Sequence, residues 1–316
     1  MCGLNSARSI GRGALGARDA YVAKSAKNLI PRRALIAGAA AGLMLPQAAI
    51  AAAAQTNPFT DLQTTVGGLV GVAALDTGTG KFVGHWPDSR FAMCSTFKWL
   101  LAAQCLSLSD KGELRLNEQL KFTASDLLDY APAAKASLEK GAMTVADCCK
   151  AMVEISDNTA ANLVLARLGG PPAFTAFCRS IGDERTRLDR NEPSLNTNFA
   201  GDQRDTTTPR AMAQTLRKVL LTGDVLSLPA RDTLIGWMVA SKTGLDRLRA
   251  GLPRDWKVGD KTGTGTGGAI NDVAIVWPPG RAPIVIAAYL IGSTADVAAL
   301  NNVHAEVARM VMKLLA

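Results

Sequence analysis

The pattern of apolar and polar positions divides the chain into strand-rich ends and a helical middle. Apolar runs that alternate with polar residues, or that are bounded by Gly/Pro turns, predict strands near both ends, and longer runs with a period near 3.6 predict helices. The predicted terminal elements are a helix at 57–66, strands at 69–76, 81–85, 257–262, 270–277 and 284–291, and a final helix at 295–315.

Helix-start and helix-stop signals recur between these ends. Thr144 and Asp147 have the spacing of a capping box, and Ser293 and Asp296 have the same spacing before the final helix. Strands at both ends of a helical segment are economically joined in one sheet. We therefore predict an α+β fold, in which an antiparallel sheet of about five strands is flanked by helices and carries an inserted all-α subdomain. The α/β part covers about 57–88 and 240–316, and the all-α part about 89–239.

The basic charge of the chain is concentrated at its N-terminus. The 316 residues carry a net charge of +8, and residues 1–51 hold seven Arg and Lys against one acid, so they account for +6 of it. The rest of the chain has no basic excess of the kind that nucleic acid attracts, and we expect no nucleic-acid partner. With 48% apolar residues the chain can bury a sizeable core.

Residues 1–51 have the pattern of a cleaved export signal. Arg32-Arg33 precede the apolar run 34–45, which is followed by small residues that end in Ala49-Ile50-Ala51. The twelve residues of the apolar run are too few to span a bilayer. The paired arginines favour a twin-arginine signal, with a general secretory signal as the alternative and an N-terminal membrane anchor less favoured. We expect a periplasmic protein of residues 55–316 that has no stable membrane insertion after signal cleavage.

The cysteines and histidines limit the available chemistry. Cleavage would remove Cys2 and leave five cysteines, so at least one thiol stays free; we expect Cys105 and Cys178 to be buried thiols. His85 and His304 are the only histidines in the sequence. Neither a Ser-His-Asp triad nor a multi-histidine zinc site is credible with two distant histidines, and we expect no cofactor or metal.

A serine three residues before a lysine indicates nucleophilic catalysis. In a helix that starts near Ser95, Lys98 lies on the same face, so its ammonium can reach the serine oxygen. The helix start also supplies unpaired N–H groups that favour an oxyanion. This Ser-x-x-Lys tetrad alone is weak evidence for catalysis, because Ser137 and Lys140 form a chance match with the same spacing. By itself, Ser95 would be interpreted as a helix cap.

Three further motifs follow in order, and together with the tetrad they identify a resemblance. They are Ser156-Asp157-Asn158, Glu192-Pro193-Ser194-Leu195-Asn196 and Lys261-Thr262-Gly263. The chain resembles class A β-lactamases from about Asn57 to Ala316. That resemblance implies the same α/β plus all-α architecture and hydrolysis of a β-lactam through an acyl-enzyme.

The resemblance assigns roles to the catalytic candidates. Ser95 would open the lactam, Lys98 and Glu192 would move protons, and Ser156 would protonate the ring nitrogen. Asn158 would bind the side-chain amide of the substrate. Glu192 and Asn196 are four residues apart, so one helical turn from Pro193 would aim both at a hydrolytic water; a solvated surface glutamate is the alternative.

The substrate carboxylate requires cations and hydroxyls. Lys261, Thr262 and Thr264 supply some of them, Gly263 permits close approach of the substrate, and the N–H of Thr264 would complete an oxyanion hole with that of Ser95. Ile270 stands where some relatives have an arginine. Arg247 matches the alternative arginine of other members, with Arg249 as its competitor. Tyr130 would be a pocket-wall aromatic or a simple packing residue.

Two structural features also follow from the resemblance. Arg190 and Asp205 match an ion pair at the base of the Ω-loop that carries Glu192. Some relatives join the cysteine before the nucleophile to one after the lysine triad, but Gly265 occupies that later position, so Cys94 lacks this partner. We expect no disulfide of the family type.

The sequence thus predicts a periplasmic, monomeric serine β-lactamase that acts on small β-lactam substrates without a cofactor. A peptidoglycan DD-peptidase and a β-lactam sensor that stays acylated are the rival functions. Glu192 argues against both, because it provides a base for hydrolysis of the acyl-enzyme. The spectrum across penicillins, cephalosporins and carbapenems stays open.

Overall fold

A computed structural model describes residues 57–197, 199 and 201–316. The predicted export signal at 1–51 lies outside these residues. Residues Pro58–Ala316 form one compact unit. No helix in the described part of the chain combines the length and apolar composition needed to cross a membrane.

A five-stranded antiparallel sheet joins the two ends of this unit. Its spatial order is β2-β1-β9-β8-β7, so the last strand of the chain pairs directly with the first. The strand bounds are β1 Leu69–Asp76, β2 Phe82–His85, β7 Lys257–Thr264, β8 Ile270–Trp277 and β9 Ile284–Ile291. This arrangement confirms the predicted α+β class with strands from both ends.

Helices cover the sheet and fill the segment between its halves. The described residues form nine α-helices: α1 Pro58–Val66, α2 Phe97–Asp110, α3 Pro132–Ala136, α4 Val145–Glu154, α5 Asn158–Leu168, α6 Gly170–Ser180, α7 Pro209–Arg217, α8 Leu228–Val239 and α9 Val297–Leu315. Two short ladders accompany them in the inserted segment, β3 Phe91–Ala92 with β6 Thr206–Thr207 and β4 Gln119–Lys121 with β5 Ala142–Thr144. Helix α7 packs against β1 and β9, which places it on the sheet.

Most predicted ends agree with the structure, and the exceptions have local causes. Thr144 caps α4 by accepting from the Asp147 N–H, as predicted. At the final helix the prediction was wrong by one turn, because Asp296 is the cap and accepts from the Ala299 N–H. Ser293 instead donates to the Val66 carbonyl.

Two apolar layers lie on opposite faces of the sheet. The inner core joins the sheet to the helical segment and includes Trp99, Phe174 and Tyr289. The outer core joins the sheet to α1 and α9 and includes Ile286 and Leu300. The strands between them are buried on both faces, which explains the continuous apolar run of β9.

The five cysteines of the described residues are all buried free thiols. Cys105 and Cys178 lie in the inner core, as expected. Burial raises the pKa of the Cys148 thiol to about 12, so it stays protonated at neutral pH.

Candidate active site

The segment around Ser95 leads from a strand into a helix. Ser95 lies in a 3₁₀ turn, Cys94–Thr96, which continues directly into α2. Cys94 has a φ of +46°, a left-handed conformation that non-glycine residues rarely adopt. Lys98, in the first turn of α2, donates from Nζ to Ser95 Oγ at 2.9 Å, as the spacing predicts.

Lys98 is completely buried, and its ammonium is surrounded by oxygen atoms. Nζ lies 2.9 Å from Glu192 Oε1, and it donates to the Ser156 carbonyl at 2.9 Å and to Asn158 Oδ1 at 2.5 Å. Burial lowers the pKa of Lys98, while the Glu192 carboxylate opposes that shift. A lysine with a lowered pKa beside a serine can release and take back a proton more readily than a solvated one.

The Ser156-Asp157-Asn158 triplet forms the turn between α4 and α5. Asp157 caps α5 by accepting from the Ala160 N–H at 2.8 Å. Its second oxygen accepts from the Ala133 N–H at 2.8 Å, so the carboxylate also anchors the neighbouring α3. This turn places Ser156, at a φ of +61°, and Asn158 together at the cleft, as expected.

Glu192 faces the nucleophile across the cleft. Its Oε1 accepts from the Ser95 hydroxyl at 3.1 Å, and its Oε2 accepts from Asn196 Nδ2 at 2.5 Å. A 3₁₀ turn, Ser194–Asn196, follows the cis peptide bond between Glu192 and Pro193. The two side chains therefore converge beside the serine, as their spacing predicts.

Asn162 holds Glu192 in place and was missed at the sequence level. Its Nδ2 donates to the Glu192 carbonyl at 2.8 Å, and its Oδ1 accepts from the Glu192 N–H at 3.0 Å. Asn162 lies one turn after Asn158 on α5, and that i,i+4 spacing is the signal that could have identified it.

The Ω-loop is closed at its base by an ion pair. Arg190 Nε lies 2.6 Å from Asp205 Oδ2. Asp205 Oδ1 also accepts from the N–H groups of Asp189 and Arg190 at 2.7 and 2.9 Å. The expected pair is present, and backbone donors strengthen it.

The edge strand β7 forms the opposite wall of the cleft. Lys261 is fully buried and donates from Nζ to Ser156 Oγ at 3.1 Å. Burial and the charge of Lys98 lower the pKa of Lys261 well below its ordinary value. The cleft has a volume of about 310 Å³, and its lining residues are Ser95, Tyr130, Ser156, Asn158, Thr243, Arg247, Thr262, Gly263 and Thr264.

The structure separates the two candidate arginines. Arg247 reaches the cleft, where Nη2 donates to Thr264 Oγ1 at 2.8 Å and Nη1 to the Gly263 carbonyl at 2.9 Å. Arg249 points away from the cleft and forms an ion pair with the buried Asp260. Ile270 is buried in the outer core.

Tyr130 lies at the mouth of the cleft with half of its surface exposed. The histidines lie elsewhere: His85 is in β2, and His304 in α9 contacts the Ile270 carbonyl. Among the described residues no three His, Cys, Asp or Glu side chains are grouped so that they could hold a metal ion.

The serine oxygen contacts both a buried lysine and a carboxylate, and a second buried lysine lies beside it on the strand edge. This arrangement defines a serine acyl-transfer enzyme. The comparisons with known proteins specify its family. The model of the β-lactamase enzyme family matches residues 55–315, and the chain belongs to that family.

Its similarity to individual members is extensive. The chain is 48% identical to β-lactamase AST-1 of Nocardia asteroides, over 81% of this chain and 82% of that protein. It is 44% identical to the carbapenem-hydrolysing β-lactamase KPC of Klebsiella oxytoca, over 86% and 94%. An ancestral class A β-lactamase structure superposes with a TM-score of 0.79 at 55% identity, over 81% of this chain and 98% of that one. The chain is a class A serine β-lactamase, an enzyme that hydrolyses the β-lactam ring.

Proposed function

We propose that Ser95 attacks the lactam carbonyl and that its proton passes to the Lys98–Glu192 pair. The observation that carries this proposal is a closed triangle of contacts. Lys98 Nζ is 2.9 Å from both Ser95 Oγ and Glu192 Oε1, and the serine hydroxyl donates to the same carboxylate oxygen at 3.1 Å. Burial strengthens these interactions, because little water screens them.

Ser156 completes the ring opening. As the C–N bond breaks, its hydroxyl donates a proton to the departing nitrogen, and Lys261 and Lys98 on either side can replace that proton. The N–H groups of Ser95 and Thr264 stabilise the negative oxygen that forms at the carbonyl. The product of this half-reaction is an ester on Ser95.

Glu192 then releases the product. It takes a proton from a water molecule held with Asn196, the resulting hydroxide attacks the ester carbonyl, and Ser95 Oγ leaves and regains its proton. The Arg190–Asp205 pair keeps this loop in register.

The cleft binds small β-lactams through both of their polar groups. Arg247, Lys261, Thr262 and Thr264 surround the substrate carboxylate, with Gly263 allowing the substrate to lie against β7. Asn158 binds the side-chain amide. Tyr130 forms the wall at the mouth.

The sequence also supports an inference about the cellular location and domain bounds of the enzyme. We propose that residues 1–51 are a twin-arginine export signal and that the mature protein, residues 55–316, is a periplasmic monomer. Its α/β part would cover about 57–88 and 240–316, and its all-α part about 89–239. It would confer antibiotic resistance by destroying β-lactams before they reach their targets.

Ser95→Ala is the decisive test. We expect kcat for a chromogenic cephalosporin to fall on the order of 10⁶-fold, the scale seen when another hydrolase loses its serine nucleophile. Mass spectrometry of the wild-type enzyme, quenched within milliseconds, should detect an acyl adduct on the peptide that contains Ser95. A folded Ser95→Ala enzyme with most of its activity would refute the assignment, and a single stoichiometric burst by wild type would indicate a sensor.

A further inference from the structure

One row of the sheet supports the segment that carries the nucleophile. Gly71 of β1, Tyr289 of β9, Asn271 of β8 and Gly263 of β7 are successive partners across the four strands. Directly opposite residues of antiparallel strands point to the same face. All four meet residues 91–96, the nucleophile segment.

The two glycines let this segment lie directly on the sheet. A Cβ atom added at Gly71 would lie 2.3 Å from the Phe91 ring, and one at Gly263 would lie 2.6 Å from the Met93 carbonyl oxygen. Tyr289 supports the far end of the segment, where its hydroxyl lies 3.3 Å from Thr96 Oγ1. The row therefore fixes the height of the segment above the sheet.

Asn271 is the polar contact in the middle of the row. Its Nδ2 donates to the Ala92 carbonyl at 2.9 Å and to the Met93 carbonyl at 3.1 Å. Its Oδ1 accepts from the Leu290 N–H at 3.3 Å, so the orientation of the amide is set by the sheet itself. The side chain is completely buried, where an unsatisfied amide is costly.

The two carbonyls that Asn271 holds come immediately before the left-handed residue Cys94, and Ser95 follows. A left-handed conformation at a non-glycine residue persists only when its surroundings enforce it. The backbone carbonyl of Asn271 also accepts from Arg247 Nη1 at 2.7 Å. One residue thus links the carboxylate-binding arginine to the turn that aims the nucleophile and the oxyanion-binding N–H.

We propose that Asn271 is a positioning residue that holds Ser95 and its N–H in the reactive geometry. This inference rests on the proposed role of Ser95. Loss of the amide donor should misplace the serine slightly, and small misplacements of reacting groups cost up to about 100-fold in rate. Acylation should slow most, because it needs both the aimed hydroxyl and the oxyanion-binding N–H of Ser95. Deacylation needs only the N–H, and Asn271 has no contact with Glu192 or Asn196 among the described interactions.

Asn271→Asp separates positioning from packing. Aspartate has nearly the same shape, but its ionised form cannot donate to the two carbonyls, whereas its protonated form can donate to one. Burial raises the pKa of such a carboxyl, so mild acid restores the donor. At pH 8 we expect the variant to be acylated about ten- to hundredfold more slowly than wild type. At pH 5.5 the ratio of its acylation rate to that of wild type should be severalfold higher than at pH 8.

Asn301→Asp is the matched control. Asn301 accepts from Arg247 Nε at 3.0 Å but has no described contact with the nucleophile segment. The substitution again replaces an amide by a carboxyl group, and an aspartate at this position can still accept from Arg247. The acylation rate of Asn301→Asp, relative to wild type at the same pH, should therefore show no recovery in acid. Thermal unfolding of each variant at both pH values excludes recovery through refolding.

If the aspartate variant fails to fold, Asn271→Ala replaces it as the test variant, and its acylation rate is followed by quenched-flow mass spectrometry. Acylation of Asn271→Ala at the wild-type rate would overturn the proposal. So would an Asn271→Asp variant whose acylation rate, relative to wild type, is equally low at every pH. Failure of the wild-type enzyme to form a Ser95 adduct would instead refute the proposed nucleophile, which separates the two results.

Discussion

Two buried regions of this enzyme differ sharply in composition. The outer core, between the sheet and helices α1 and α9, is lined by aliphatic side chains such as Val72, Ile286 and Leu300. The catalytic cluster of Lys98, Ser156, Glu192 and Lys261 is as well buried, but it consists of ions and hydroxyls. Aliphatic burial stabilises a fold by about 1.5–3 kcal/mol per side chain, whereas buried ions cost free energy unless each has a partner.

The difference shows how the molecule divides stability and chemistry. The oxygen atoms around Lys98 come from three separate segments, those of Ser95, Ser156–Asn158 and Glu192. Such a cluster assembles only if the surrounding elements hold these segments in place, and apolar packing on both faces of the sheet joins those elements together. Substitutions in the cluster should change rates, and substitutions in the outer core should change stability.

After the loss of the nucleophile itself, the largest expected effect is that of Glu192→Ala on hydrolysis of the acyl-enzyme. Without the carboxylate no base activates the water, and the rate of deacylation should fall on the order of 10²–10⁴-fold. Burial lowers the pKa of Lys98, and without the opposing charge of Glu192 its neutral amine can take the Ser95 proton. Acylation should therefore continue, and a stable adduct on Ser95 should appear by mass spectrometry after brief exposure to a penicillin. An adduct-free enzyme at every time point would contradict the role of Glu192.

The reverse result is expected in the outer core. Ile286 is completely buried in the middle of β9, and Ile286→Ala should lower the free energy of unfolding by about 2–5 kcal/mol in urea titrations. Active-site titration should show kcat/KM per folded molecule unchanged. If the loss of stability were accompanied by a fall in kcat/KM per folded molecule, the proposed separation between the two regions would be contradicted.

The sequence predicted these two regions with different success. Strands β8 and β9 occupy the predicted ranges, because their apolar runs end at Gly/Pro turns that act locally. Strand β7 extends two residues further than predicted, to Thr264, since Gly263 and Thr264 join the strand by pairing with Asn271 and Ile270 of β8. Pairing between strands is a tertiary effect that a local pattern does not encode.

Within the site, the motifs predicted which side chains meet at the cleft but not the residues that support them. Asn162 and Asn271 bind backbone groups that lie 30 and about 180 residues away along the chain. The spacing from Asn158 could have placed Asn162 on the same helix face, but no side-chain pattern indicates which distant backbone group either asparagine binds. The left-handed conformations of Cys94 and Ser156 were also missed, because neither residue type favours a positive φ.

A smaller effect is expected at the border of the catalytic cluster, where the two arginines differ. In the proposed binding mode, Arg247→Ala removes a charge-assisted hydrogen bond to the substrate carboxylate, which contributes about 1.5–3 kcal/mol. We expect kcat/KM for a penicillin to fall about ten- to hundredfold. Arg249→Ala is the matched control: it breaks the ion pair with Asp260 and should reduce stability while kcat/KM per folded molecule is retained. A rate loss confined to Arg249→Ala would show that the wrong arginine was chosen.

The smallest effect concerns a polar side chain that α9 buries beside the outer core. His304 is fully buried, and burial lowers its pKa from 6.5 to about 3, so the folded protein keeps the imidazole neutral where the unfolded chain protonates it. Its contribution to stability is therefore fully present above about pH 6.5 and is lost progressively as the pH falls towards 3. At pH 5 the loss should be about 2 kcal/mol relative to neutral pH.

His304→Gln tests this dependence, because glutamine can still donate to the Ile270 carbonyl but does not titrate. Carboxylates also titrate in acid, so the informative quantity is the difference between the two proteins in unfolding free energy, measured by urea titration at pH 7 and pH 5. The variant should lose about 2 kcal/mol less than wild type over this interval. Equal losses would mean that the folded protein accommodates the imidazolium, and that the polar site on α9 tolerates charge much as the catalytic cluster does.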